Sequence, residues 1–203
     1  TEPGLVADLG SSTHSIGVWS SEPDVTYTWT AASDALSGLS GYGITSTDAP
    51  SLPPPSRNAP ATLTSLALTL GDGSWYLNIR STDVAGNWSG GYANFGPVQV
   101  DATVPGTATN LTSTSHSIGV WSNDNTVDYA WTAAPDNLSG LAGYGAAAAA
   151  APGLPPASQN LGPVEAGTLA LADGGWFLRL RAVDAAGNWA GTYASHGPVL
   201  VDA

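Results

Sequence analysis

The sequence predicts an all-β chain built as two tandem antiparallel β-sandwich domains, residues 1–102 and 103–203. Three observations carry that prediction. The stretch from Asp72 to Trp88 (DGSWYLNIRSTDVAGNW) returns from Asp173 to Trp189 as DGGWFLRLRAVDAAGNW. Val25, Tyr27 and Trp29 alternate with threonines, the period-two pattern of a half-buried strand. No stretch sustains a 3.6-residue apolar period, and turn residues recur every 8–12 positions, as in a sandwich.

The elements follow in order. Ile16 to Trp19 reads as a short first strand and Val25 to Trp29 as the second; Tyr42 opens the third. Leu63, Leu66, Leu68 and Leu70 lead to the central strand, where Trp75, Leu77 and Ile79 share one face. Pro97 to Val100 closes the unit. In the second copy the central face is Trp176, Leu178 and Leu180. Glycines at Gly71-Asp72-Gly73 and Asp173-Gly174-Gly175 supply the tight reversal before each central strand. The copies are offset by 102 residues at Trp19 and Trp121 and by 101 at Trp75 and Trp176. Thr1-Glu-Pro-Gly matches Thr103-Val-Pro-Gly, so the chain starts and stops at unit boundaries and reads as a window from a longer array. The six alanines from Ala146 to Ala151 replace Ile44-Thr-Ser-Thr-Asp-Ala49. Alanine is a poor strand residue, so the run reads either as a low-complexity loop or as residues of unassigned identity. Ser46 to Thr62, with Pro53-Pro54-Pro55, reads as an extended surface loop.

Composition narrows the function classes. With 16 acidic and 4 basic residues the net charge is −12, and the cations are all arginines. Nucleic acid is excluded as a partner because no basic patch exists to displace its counterions. Anionic membrane surfaces are disfavoured for the same reason, and no apolar run approaches a membrane span. Cysteine is absent, so packing alone must hold the domains.

The Val-Thr-Tyr-Thr-Trp29 strand, the segment from Asp34 to Tyr42 (DALSGLSGY) and that from Asp72 to Gly86 resemble a fibronectin type III, immunoglobulin-like domain, in its bacterial extracellular variants. The resemblance covers nearly the whole chain, in both copies. It implies seven strands in two sheets, with Trp29 and Trp131 as core tryptophans and Tyr42 and Tyr144 on the third strand. At the family's corner tyrosine this chain has Trp75 or Tyr76, and Trp176 or Phe177 in the second copy. An acidic, lysine-free sandwich of this kind implies an extracellular or cell-surface location.

Candidate chemistry is sparse. His14 and His116 occupy one place in successive copies, a domain length apart, and His196 stands alone. Asp34, Asp83 and Asp101 recur as Asp136, Asp184 and Asp202. Calcium would suit such loop carboxylates, but no dense Asp-x-Asp-x-Asp loop accompanies them, and they read as turn aspartates bonding their own backbone. No catalytic, cofactor-binding or metal site is assigned, no cofactor is expected, and the chain reads as a non-enzyme. Trp88 and Trp189, with Tyr92 and Tyr193 behind them, could stack on sugars, and Trp19 and Trp121 lie near strand ends. The sequons at Asn87, Asn110 and Asn137 are short, weak signals. The junction from Val100 to Pro105 is short and contains proline, which limits bending. The expected function is therefore structural: a segment of an extracellular filament, sheath or adhesin stalk, acting as stiff spacer and assembly unit. Its expected partners are neighbouring copies of the same protein. The alternative is a carbohydrate-binding or accessory module of a secreted hydrolase, with glycans as partners.

Overall fold

The computed structural model describes residues 1–53, 55–153, 155 and 158–203. It divides into two compact units, Thr1–Ala102 and Thr103–Ala203. Among the described residues there is no helix.

In the first unit, alternation builds the smaller sheet. Along β3 (Asp24–Thr30), Val25, Tyr27 and Trp29 are buried while Asp24, Thr28 and Thr30 face solvent. β3 lies between β1 (Ala7–Ser11) and β6 (Ser65–Thr69), antiparallel to both. The facing sheet has the order β2-β8-β7-β4-β5, from β2 (Trp19–Ser20) through β8 (Ala93–Val100), β7 (Gly73–Asp83) and β4 (Leu39–Thr47) to β5 (Ala59–Pro60). Leu77 and Ile79 of β7, fully buried, meet Val25 and Tyr27 across the sandwich in one core cluster, with Trp75 packed against its edge. Burying a side chain of this size contributes about 1.5–3 kcal/mol.

The second unit repeats the plan. Its smaller sheet runs β13 (Ala166–Ala170), β11 (Thr126–Thr132), β9 (Thr109–Ser113). Its larger sheet runs β10 (Trp121–Ser122), β15 (Ala194–Val201), β14 (Gly174–Asp184), β12 (Leu141–Ala149). Leu178 and Leu180 take the places of Leu77 and Ile79.

Three expectations are revised and a fourth is narrowed. First, Ile16 to Val18 is a turn, with Gly17 at φ 73°, and only Trp19 and Ser20 join a strand. The opening strand is β1, whose ladder is interrupted between Ala7 and Gly10, with Asp8 at φ 52°. That bulge hides the period-two signal. Second, Ala146 to Ala149 are strand, paired from Ala146↔Leu180 to Ala149↔Phe177. The fixed register of β14 overrides alanine's low strand preference. Third, the described residues of the first unit form eight strands rather than seven, because Ala59–Pro60 pairs with Gly41 and Tyr42. The expected Ser46–Thr62 loop thus begins in β4 and contains β5 before the turn at Ala61 and Thr62, and Pro53 is buried; Pro54 lies outside the described residues.

The fourth point concerns the corner, where the sequence offered Trp75 or Tyr76 and the structure selects Trp75. Trp75 Nε1–H donates to the Gly71 carbonyl at 2.8 Å, and Trp176 Nε1–H to the Ala172 carbonyl at 2.8 Å. An indole thus makes the backward bond that a corner tyrosine hydroxyl makes in related sandwiches. Trp75→Phe keeps most of the apolar body and removes the donor. It is expected to cost unit 1 about 1 kcal/mol in urea denaturation, the worth of one solvent-exposed bond and some packing. No change would show that the bond contributes nothing.

Candidate functional site

The two repeated histidines make their hydrogen bonds within their own unit. His14 Nε2 donates to the Glu22 carbonyl at 3.0 Å while its Nδ1 accepts from the Thr13 hydroxyl at 2.9 Å. His116 repeats this with Asp124 at 2.9 Å and Ser115 at 2.8 Å. Both rings are buried staples across a loop.

The aspartates are turn caps. Asp34 Oδ2 accepts from the backbone N–H groups of Ser37 (2.9 Å) and Gly38 (3.0 Å) and from the Ser37 hydroxyl. Desolvation alone would raise its pKa, but those donors together hold it below the ordinary carboxylate value. Asp83 is clamped by Asn87, whose side-chain amide donates to Oδ2 at 2.8 Å and whose backbone N–H donates to Oδ1 at 2.8 Å. The Asn87 side-chain bond is the main reason its pKa is lowered. Asp184 and Asn188 repeat the clamp at 2.8 and 2.7 Å, and Asp136 accepts from Gly140 N–H at 2.7 Å. At the ends of the units, the Asp101 and Asp202 backbone N–H groups donate to the carbonyls of Ser20 and Ser122.

The loop tryptophans are half-covered. The Arg80 guanidinium lies 5.6 Å from the Trp88 ring centroid, and Arg181 stands at 5.6 Å from Trp189. Arg80 Nε also donates to the Ser89 carbonyl at 2.9 Å, fixing the stack. One face of each indole is therefore a cation–π contact, and a sugar would have only the other. Trp121, 61% exposed, is the open aromatic.

Two features were not foreseen as sites. The turn Ser15–Val18 carries Ile16 and Val18 at 52% and 57% exposure, and the second unit repeats this at Ile118 and Val120. The signal was present in the sequence: HSIGVWS is identical in both copies while its flanks differ. The other feature is a cleft of about 260 Å³ in unit 1, lined mainly by Ile44, Leu63, Leu66 and Leu68, with Thr45, Ser46, Asn58 and Ala59. Its leucines belong to the run that reads in sequence only as leading into the central strand.

His196 distinguishes the two units. It occupies the place of Phe95, which in unit 1 meets Tyr27 edge-to-face at 6.1 Å. Desolvation lowers the His196 pKa below the usual imidazole value, offset in part by a hydrogen bond with the Leu111 backbone. Unfolded, the ring titrates at about 6.5. As pH falls through that value the unfolded chain takes up a proton that the folded unit resists, so unit 2 loses stability below about pH 6.5. Above it the group contributes no pH dependence. His196→Phe is expected to flatten this slope when unit 2 melting is followed from pH 8 to pH 5; an unchanged slope rejects the assignment.

No family model matches the chain, and no curated protein sequence matches it. Solved structures do. A titin segment aligns with TM-score 0.57 at 12% identity, covering 98% of this chain and 67% of that one. The FN1-FN3 domains of chicken CNTN1 align with TM-score 0.45 at 12% identity, covering 100% and 69%. The fibronectin(III)-like modules of Clostridium thermocellum CbhA align with TM-score 0.43 at 14% identity, covering 95% and 94%. Each unit is a fibronectin type III-like β-sandwich. At these identities the similarity establishes the fold alone. In both fibronectin type III-like units the core tryptophan sits on the middle strand of the smaller sheet, and Trp29 meets Tyr42 edge-to-face at 6.0 Å. No helix among the described residues is long and apolar enough to cross a membrane.

Proposed function

We propose that this chain is a structural segment of an extracellular tandem array, in which each fibronectin type III-like unit serves as spacer and assembly unit rather than as an enzyme. One observation carries the reading: the loop histidines, the Asp–Asn pairs and the loop tryptophans that recur between copies make the same internal contacts in both. The histidine staples, the Asp–Asn clamps and the Arg–Trp stacks all repeat with matched partners and distances. A repeated binding or catalytic apparatus would instead leave polar groups directed at a ligand. The short, proline-bearing junction supports a spacer role, because such a joint bends little. Neighbouring copies of the protein are the partners, and the cell surface or its surroundings the location.

Negative-stain electron microscopy of the native material tests this. The expected result is filaments or sheets with an axial repeat of about 35–40 Å per unit, the length of a ~100-residue sandwich. Separate, monodisperse particles would overturn it.

The openness of Trp121 favours one second reading, a carbohydrate-binding module. Soluble glycans would then perturb indole fluorescence in the wild-type chain and not in Trp121→Ala.

A further inference from the structure

The turn Ser15–Trp19 is a preformed apolar knob. Gly17 N–H donates to the Pro97 carbonyl at 3.0 Å, and His14 ties the loop base to Glu22. Ile16 and Val18 project from this braced backbone, each more than half exposed, and they are absent from the core cluster. Packing of the fold therefore does not account for them. Unit 2 repeats the bracing, with Gly119 N–H donating to Pro198 at 3.0 Å. Rigid, exposed apolar groups of this kind mark contact surfaces.

The complementary shape lies on the same unit. Strand β2, which the turn leads into, forms one edge of the five-stranded sheet, and β5 forms the other. The cleft lies on the β5 side, between β4 and the β6 edge of the facing sheet, and has room for both aliphatic side chains. The hydroxyls of Thr45 and Ser46, which also line it, have no protein hydrogen-bond partner. Neither the knob nor the cleft lining contains a charged residue. On a chain of net charge −12, an uncharged surface meeting an uncharged surface is where two copies approach with least repulsion.

We propose that the Ile16–Val18 knob of one copy seats in the Ile44–Leu66 cleft of unit 1 of a second copy. Because knob and cleft occupy opposite edges of one unit, the contact is heterologous; with a rotation between copies that does not close a ring, it propagates an array. The proposal rests on the assembly-unit reading and adds the contact that makes it lateral.

Sedimentation velocity on the full chain tests it with two variants. The knob variant carries Ile16→Asp, Val18→Asp, Ile118→Asp and Val120→Asp; the cleft variant carries Ser46→Trp. The wild-type chain is expected to grow in mass with concentration and without a ceiling. Each variant alone should lose association by about tenfold or more. Mixed, the two should form small closed complexes, since one keeps the cleft and the other the knobs. A cleft variant that associates like wild type, a mixture that stays monomeric, or a wild-type chain monomeric up to about 1 mM each overturns the proposal. Melting curves check that the variants fold. If Ser46→Trp does not, a mixture of Val18→Cys and Leu63→Cys chains replaces it, in a background without cysteine. Oxidation should then yield the heterodimer crosslink, and its absence rejects the contact. Native filaments alongside a failed contact would sink this inference alone, whereas monodisperse native particles sink the assembly reading itself.

Discussion

Replacing Tyr42 by Ala is expected to cost unit 1 about 4 kcal/mol, most of the stability of a marginal domain. Three losses coincide. The ring is completely buried, so its removal forfeits apolar transfer energy and leaves a cavity. Its edge-to-face contact with Trp29 disappears. Its hydroxyl, which accepts the Ala32 N–H at 3.3 Å, leaves a buried donor without a partner. Tyr42→Phe isolates the last contribution and should cost about 1 kcal/mol. Urea denaturation followed by tryptophan fluorescence should show the unit 1 transition shifting while that of unit 2 stays. Tyr144→Ala should mirror the result, because Trp131 lies 5.2 Å from Tyr144 and its hydroxyl accepts from Ala134 at 3.0 Å. A loss under about 1 kcal/mol in either unit would refute this account of the core.

Gly96→Ala is expected to destabilise unit 1 by about 3 kcal/mol. Between β7 and β8 the register slips, with Trp75 facing Val98 and Leu77 facing Phe95, so Gly96 and Pro97 together oppose Tyr76. At this bulge Gly96 has φ 149°, and a methyl group would stand 2.5 Å from the Trp75 carbonyl oxygen and 2.8 Å from Tyr76 Cδ1. The carbonyl belongs to the central strand and has nowhere to move. Gly86→Ala separates conformation from collision: its φ is 89°, but nothing lies within 4 Å of the added carbon. That substitution should cost only about 1 kcal/mol. Equal effects at both sites, measured by thermal unfolding, would mean that backbone conformation rather than the clash governs Gly96.

Both effects show how far a linear reading reaches. Trp29 was recognisable as a core residue from alternation and the family resemblance, which placed Tyr42 on the third strand; that the two rings meet edge-to-face emerged only in the fold. The Gly96 bulge was not, because a bulge adds a residue to one strand and erases the period that marks it. The Ile16 turn misled in the opposite direction. Its β-branched residues fit a strand by propensity, yet Gly17 turns the chain and leaves them in solvent. The tryptophan corner was also invisible, since it depends on an indole reaching back four residues to a carbonyl. Edge protection was hidden too. Asn58 meets the Ile44 N–H and carbonyl at 2.9 and 2.8 Å with its side-chain amide, standing in for a strand neighbour, and Asn160 does the same for Ala146. The aspartates were legible as turn caps, but their pairing with Asn87 and Asn188 needed the folded loop.

The all-β class, the duplication, the strands whose inner faces alternate and the net acidity could all be read from the sequence. These follow from periodicity and composition, which are properties of neighbours along the chain. Which apolar residues are covered depends instead on how the strands come together. Leu66 and Ile16 look alike in sequence, but one lines a cleft and the other crowns a turn on the opposite edge. Burial is set by what another strand brings across the sandwich, and that distance is not written in local spacing.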